Sequence, residues 1–205
     1  NMEVCALTGN KDYLQYSIDW ADYNQWKGAT SNNKAEWRST YGESPEYVLF
    51  GDWQVCFQTY ADLYKLDPDT IKIARAREVM EYQMSTSKLD YWHWVDALYM
   101  VMPVMVKMYD ITKNPLYLEK LHQYLTVTDS IMYDREVGLY YRDAKYPYPF
   151  HKTINGKKDF WSRGDGWAFA AFAKVLKQLP AEDKYREEYI TRFQTMAKPI
   201  AACQQ

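Results

Sequence analysis

Three aspartates stand beside tryptophan where three apolar segments begin. They are Asp52 in Phe50-Gly51-Asp52-Trp53, Asp96 in Trp92-His93-Trp94-Val95-Asp96-Ala97, and Asp165 in Trp161-Ser162-Arg163-Gly164-Asp165-Gly166-Trp167. A carboxylate at a helix start has a simple use as a cap, worth about 1 kcal/mol. Gathered in one cleft, paired carboxyls can instead divide the work of general acid and general base. Asp96 is the sharpest candidate, because its surroundings are the most apolar in the chain. Desolvation there raises a carboxyl pKa toward the working range of a proton donor, opposed by the helix dipole.

Arg163 lies between Trp161 and Trp167 in a glycine-flanked turn. A guanidinium held against aromatic planes suits bidentate recognition of a carboxylate, and the glycines allow close backbone approach. The plainer alternative is a surface arginine at a helix start. Of the three histidines, His93 precedes Asp96 at the expected rim, His151 falls in a long loop, and His122 sits on an outer helix with no evident chemistry.

The elements that must position these groups form a recurring pattern. Asp67 and Asn114 are each followed by proline, the pattern of a cap with Pro in the first turn, and Asn10 and Leu179-Pro180 mark similar hinges. Segments after the hinges are amphipathic, as in the Leu118, Leu121, Leu125 stripe. Segments before them, Ala97–Met102 and Ala168–Ala173, are apolar nearly all round. Alternating half-buried and buried helices predict a double layer of helical hairpins, closed as an α/α toroid or wound on as a solenoid. In either, inner helices run parallel and gather their N-termini at one end. Gly138–Arg142 and the stretch from Tyr146 to Lys157, with its Asn155-Gly156 turn cue, read as extended or hairpin structure within a lid or binding loop.

Composition narrows the class. With 205 residues and 47% hydrophobic content, a single domain can bury a real core. The net charge of −2 is spread without a basic block, which argues against nucleic acid as a partner. The 20 Tyr and 8 Trp suit sugar rings, which pair an apolar face with a polar edge, although core filling is the alternative. Cys5, Cys56 and Cys203 lack metal-ligand spacing and read as buried small hydrophobes, so no metal or cofactor is expected. No apolar run is long enough to span a bilayer. Both an exported and a cytoplasmic location stay open, and the oligomeric state is not legible.

At Trp94-Val95-Asp96-Ala97-Leu98-Tyr99-Met100, Gly138-Leu139-Tyr140-Tyr141 and Trp161-Ser162-Arg163-Gly164-Asp165-Gly166-Trp167, the chain resembles glycoside hydrolase family 105 and, more distantly, family 88. The resemblance spans roughly residues 45 to 205 and implies an all-α, (α/α)6 toroid of helical hairpins. It implies removal of a 4,5-unsaturated uronic acid from the non-reducing end of lyase-generated oligosaccharides, by hydration of a vinyl ether. Carried over by position, Asp96 would be proton donor and water activator, and Asp52 the second carboxylate that orients substrate and tunes Asp96. Trp94 and Trp161 would be stacking walls, and Arg163 and Trp167 would bind the uronate end.

Two departures stand out. Arg142 replaces the usual histidine and adds a cation for a carboxylate or sulfate; Asp165 replaces the usual asparagine and is expected to weaken uronate binding unless it pairs with Arg163. About seven and a half helices are legible, against roughly twelve in such a toroid. Residues 1–205 are therefore expected to be a single catalytic toroid domain truncated at both ends. Two rival readings are another α/α-toroid enzyme, either an inverting glycosidase or a polysaccharide lyase, and a non-catalytic helical-repeat scaffold or sugar-binding module.

Overall fold

The computed structural model describes residues 1–204 and is built of helical hairpins. In chain order the helices are α1 (Met2–Thr8), α2 (Asp12–Tyr23), α3 (Gly51–Gln54), α4 (Cys56–Leu66), α5 (Ile71–Ser85), α6 (Asp96–Thr112), α7 (Leu116–Met132), α8 (Ser162–Gln178) and α9 (Arg186–Ala202). Two short strands, β1 (Tyr133–Asp134) and β2 (Leu139–Tyr140), pair antiparallel between α7 and α8. Each of α4, α6 and α8 packs against the helix that follows it, and α6 also lies between α4 and α8. The three inner helices therefore run in one direction, with α3 extending the start of α4.

Inner and outer helices differ as their apolar patterns predict. From Val101 to Met108 every residue of α6 is buried. The α7 stripe buries Leu118, Leu121 and Leu125, joined by Tyr117 and Tyr124. The inner layer is nonetheless less enclosed than its composition suggests. Tyr99 and Met100 are half-buried, and on α8 Ala168, Ala171 and Phe172 are buried while Ala173 is exposed. Small alanines let α8 approach α6 without demanding burial on every side.

Pro103 lies inside α6 and can give no N–H to the carbonyl of Tyr99, one turn earlier. Gln58 on α4 supplies the missing donor. Its Nε2 reaches Tyr99 O at 2.7 Å and Met100 O at 3.1 Å, while Lys174 Nζ on α8 donates to Gln58 Oε1 at 2.9 Å. One amide thus satisfies the broken ladder and ties the three inner helices together.

The hinges behave as asparagine turns in two cases. Asn10 Oδ1 accepts Asp12 N–H at 2.9 Å and Asn114 Oδ1 accepts Leu116 N–H at 3.0 Å. The third is displaced: Asp69 accepts Ile71 N–H, while Asp67 pairs with Lys72 instead. The chain's Asp-Pro-Asp spacing offers two carboxylates, and the one nearer the helix start takes the amide. The expectation of buried cysteines is also corrected, since Cys5 and Cys56 are half-buried and Cys203 is exposed, all three as free thiols.

Candidate active site

The N-termini of the inner helices open onto one cavity of about 460 Å³, within the range of small-ligand sites. Asp52 from α3, Asp96 from α6 and Arg163 from α8 all line it. At Gly51, α3 packs closely on α6. A Cβ there would stand 3.4 Å from the Ala97 Cα and the Val101 side chain on α6.

The aromatic walls come from separate segments. Trp94 stacks on Tyr41 with ring centres 5.9 Å apart and meets Phe50 edge-on at 6.4 Å. The loop carrying Tyr41 is pinned by the Trp53 indole N–H, which donates to Gly42 O at 2.9 Å. Trp161 meets Trp167 edge-on at 6.3 Å, and Trp167 in turn stacks on Tyr99 at 6.1 Å. Gly164 holds Trp161 in place by having no side chain, since a Cβ would fall 2.7 Å from both the Trp161 ring and Val95 Cγ1.

Two guanidiniums face the cavity, each over a tryptophan. Arg163 lies 4.3 Å from the Trp161 ring centre and 5.9 Å from that of Trp167. Arg142 lies 4.8 Å from Trp94, and its Nη1 donates to Tyr146 Oη at 3.1 Å. A tryptophan ring beside each guanidinium restrains it, and Arg142 is held further by Asp143, whose Oδ2 lies 3.9 Å from its Nε.

Electrostatics separate the two carboxyls. Asp96 is half-buried, and its Oδ1 is buried without a hydrogen-bond partner among the described residues. Desolvation, then the neighbouring negative charge of Asp52, push its pKa up to about 6, against the pull of Arg163 and Arg142. Asp52 is open to solvent at the mouth, and the surrounding protein still raises its carboxyl above the usual range by desolvation. One carboxyl thus keeps its proton closer to neutrality than an ordinary aspartate, and the other supplies the like charge that helps it do so.

Several expectations are corrected by the geometry. Asp165 does not join the rim or pair with Arg163. It is 4% exposed, and its Oδ1 accepts the Tyr140 backbone N–H at 2.8 Å. Burial pushes its pKa up to about 7, partly offset by that bond. The helical turn points Arg163 outward and Asp165 inward, so they occupy different sides of α8. His93 is half-buried and lies outside the cavity lining, because alternation along the extended segment turns Trp94 inward and its neighbour away. Trp167 likewise stands behind the lining, one turn beyond Arg163, as a support for Trp161 and the guanidinium.

The sequence reading missed Tyr41, Phe50, Tyr146, Asp159 and Phe160, all of which line the cavity. Asp159 reaches it from the long loop, where its Oδ2 is 2.7 Å from His151 Nε2. The expected turn at Asn155-Gly156 is present, with Thr153 N–H donating to Lys157 O at 2.9 Å and Gly156 in the left-handed region. Loop length was the signal for a binding role, but nothing local marked Asp159.

A family model described as Glycosyl Hydrolase Family 88 matches residues 1–205. The chain belongs to glycosyl hydrolase family 88. Two curated relatives, from Formosa agariphila and from Alteromonas sp. strain LOR, are each named Unsaturated 3S-rhamnoglycuronyl hydrolase. The first is 35% identical over 124 residues, 58% of this chain and 33% of the relative. The second is 33% identical over 113 residues, 55% of this chain and 27% of the relative. This family 88 chain thus matches about a third of the length of its curated relatives. It is also similar to a solved structure described as a polysaccharide lyase, at 70% identity and TM-score 0.98, over 100% of this chain and 58% of that one. A family 105 glycoside hydrolase structure from C. acetobutylicum ATCC 824 superposes with TM-score 0.72 at 20% identity, over 100% of this chain and 58% of that one. That likeness bears out the all-α arrangement of helical hairpins that the sequence implied for the family.

Proposed function

We propose that residues 1–205 form part of an (α/α) toroidal catalytic domain that removes 4,5-unsaturated uronic acid from the non-reducing end of lyase-generated oligosaccharides. The observation that carries this reading is the cavity itself: one desolvated carboxyl, one like-charged neighbour, and two tryptophan-backed guanidiniums. Two curated relatives named as unsaturated rhamnoglycuronyl hydrolases support it.

A vinyl ether needs a proton at C4 before water can add at C5. Asp96, its pKa raised to about 6, donates that proton, and positive charge develops at C5 and the ring oxygen. The Asp96 carboxylate then takes a proton from the water whose oxygen bonds to C5. The hemiketal opens by breaking the bond from C5 to the ring oxygen, leaving a C5 ketone. The hemiacetal left at C1 collapses to an aldehyde and releases the second sugar. Asp52 holds the substrate and keeps Asp96 protonated. Arg163 holds the uronate carboxylate, with Trp94 and Trp161 against the ring faces and Trp167 behind Trp161. Arg142 offers a second fork for a carboxylate or sulfate.

A second reading comes from the 70%-identical structure described as a polysaccharide lyase. There a base removes the C5 proton of a saturated uronate, the C4 to oxygen bond breaks, and a double bond forms instead of disappearing. The two reactions move ultraviolet absorbance in opposite directions. With the full-length protein, loss of the ultraviolet band of the unsaturated uronate on lyase-generated oligosaccharides supports the hydrolase. A rise in that band on intact polysaccharide supports the lyase. Release of reducing sugar from saturated glycosides, without change in the band, supports an inverting glycosidase. Saturable binding with no turnover of any of these substrates leaves a sugar-binding module.

A further inference from the structure

Asp165 follows Arg163 by two residues on α8, yet it faces the opposite way, into the protein. Its Oδ1 takes the backbone N–H of Tyr140 on β2 at 2.8 Å. The far end of Tyr140 is fixed as well. Its Oη donates to Asp129 Oδ1 at 2.6 Å and accepts from Arg192 Nη1 at 2.6 Å, and Arg192 also pairs with Asp129 Oδ2 at 2.7 Å. Tyr140 is wholly buried and so is held at backbone and hydroxyl alike.

The chain runs from this anchor directly into the cavity. Two residues on, Arg142 places its guanidinium over Trp94, and its carbonyl accepts Val95 N–H at 3.0 Å. Asp143 bridges Trp94, and the next residue after Val95 is Asp96. The Asp165 side chain thus joins the α8 start to β2, and a backbone bond joins the loop after β2 to the α6 start. Arg163 stands at the first of these, Arg142 in the loop after β2, and Asp96 at the start of α6.

We infer that Asp165 is a positioning residue, whose bond to Tyr140 sets where Arg142 and the Trp94–Asp96 segment stand relative to Arg163. The position asks for an acceptor oxygen. A charge is not required, because a buried carboxylate with one amide partner is poorly compensated. A neutral carboxyl or a carboxamide accepts the same N–H. This accounts for a carboxyl beside the guanidinium turn that makes no ion pair with Arg163 among the described residues.

The consequences for turnover rest on the hydrolase reading, but those for binding do not. The test uses the full-length protein with Asp165→Asn, Asp165→Ala, Arg142→Ala and the Asp165→Ala/Arg142→Ala pair. Folding is followed by near-ultraviolet circular dichroism. Kinetics use a lyase-generated disaccharide, and tryptophan fluorescence titrated with glucuronate reads binding independently of turnover. Asp165→Asn is expected to stay within about twofold of the parent. Asp165→Ala is expected to fold and to lose at least about tenfold in kcat/KM and in glucuronate affinity, as displacement of site groups does. Adding Arg142→Ala should then cost little more, because the arginine has already lost its place.

A folded Asp165→Ala with unchanged kinetics and binding overturns the inference, and so do losses that simply add. If the alanine variant does not fold, Asp165→Ser, too short to keep the bond, takes its place. Failure of both to fold beside a fully active Asp165→Asn assigns the residue to stability alone, which also overturns it. A parent that binds glucuronate but turns nothing over sinks the hydrolase reading, while the affinity comparison still decides the role of Asp165.

Discussion

Val95 donates its backbone N–H to the carbonyl oxygen of Arg142 at 3.0 Å, joining the start of α6 to the loop that follows β2. Through that bond the residue before Asp96 and the arginine facing Asp96 are placed by the same contact. The backbones that carry acid and cation are thereby tied, and the raised pKa of Asp96 reflects a balance between opposing neighbours. Desolvation and Asp52 push one way, and Arg163 and Arg142 the other.

Asp96→Asn keeps the shape of the side chain and removes its proton chemistry. Loss of turnover by about 10²–10⁴-fold is expected, the usual worth of a positioned general acid or base. The melting temperature should hold or rise, since a half-buried carboxyl whose Oδ1 lacks a partner is replaced by a neutral side chain of the same shape. Initial rates on a lyase-generated disaccharide, with thermal melts alongside, check both halves.

The pH profile has a determined sign. Asp96 acts in its protonated form with a pKa of about 6, so kcat/KM should fall as pH rises through that value. Asp52 raises that pKa by repulsion. Asp52→Asn should therefore move the alkaline fall to lower pH as well as weaken turnover. An unmoved limb would remove Asp52 from the electrostatics of Asp96.

Arg163→Ala should raise KM more than it lowers kcat if the guanidinium holds the uronate carboxylate in ground and transition states alike. Lysine should rescue poorly, because it cannot stack as a planar fork on Trp161. Steady-state kinetics of the two variants separate charge from geometry.

Gly164→Ala puts a methyl where the Trp161 ring and Val95 already stand. Destabilisation of about 1–3 kcal/mol is expected from overpacking. Tryptophan emission should shift as Trp161 gives way. A denaturant midpoint equal to that of the parent would contradict the close approach.

Burial of the Asp165 carboxyl makes folding stability depend on pH. Its folded pKa is raised to about 7 from an ordinary value of 3.8, so between these the folded state binds more protons than the unfolded one. Stability accordingly falls as pH rises through that window. Asp165→Asn cannot titrate. Its melting temperature should exceed that of the parent at pH about 8 and converge with it toward pH about 4. Parallel curves would place the ionisation elsewhere.

The helical layout and half of the cavity were legible because their signals are local. Apolar stripes, hinge residues and the Asp52, Asp96 and Arg163 positions all follow from short stretches of chain. Asp165 was misplaced because two residues along a helix turn a side chain by more than half a circle, and only the partner across the fold decides which way is inward. Tyr41 lies in a stretch without helical or strand periodicity, and its place depends on a bond from Trp53 to Gly42. The β1 strand leaves no local signal for a similar reason. Two residues are too few to show alternation, and β2 supplies their register.

The cavity draws its walls from four stretches scattered along the chain, around Tyr41 to Asp52, Trp94 to Asp96, Arg142 to Tyr146, and Asp159 to Arg163. Contacts of such span require loop closure before they are rewarded and tend to complete late on a folding route. An intermediate caught before the last docking step would have its helical circular dichroism and yet be blind to sugar. Recovery of ligand affinity during refolding should therefore trail recovery of helix signal, making recognition itself the reporter of the finished chain.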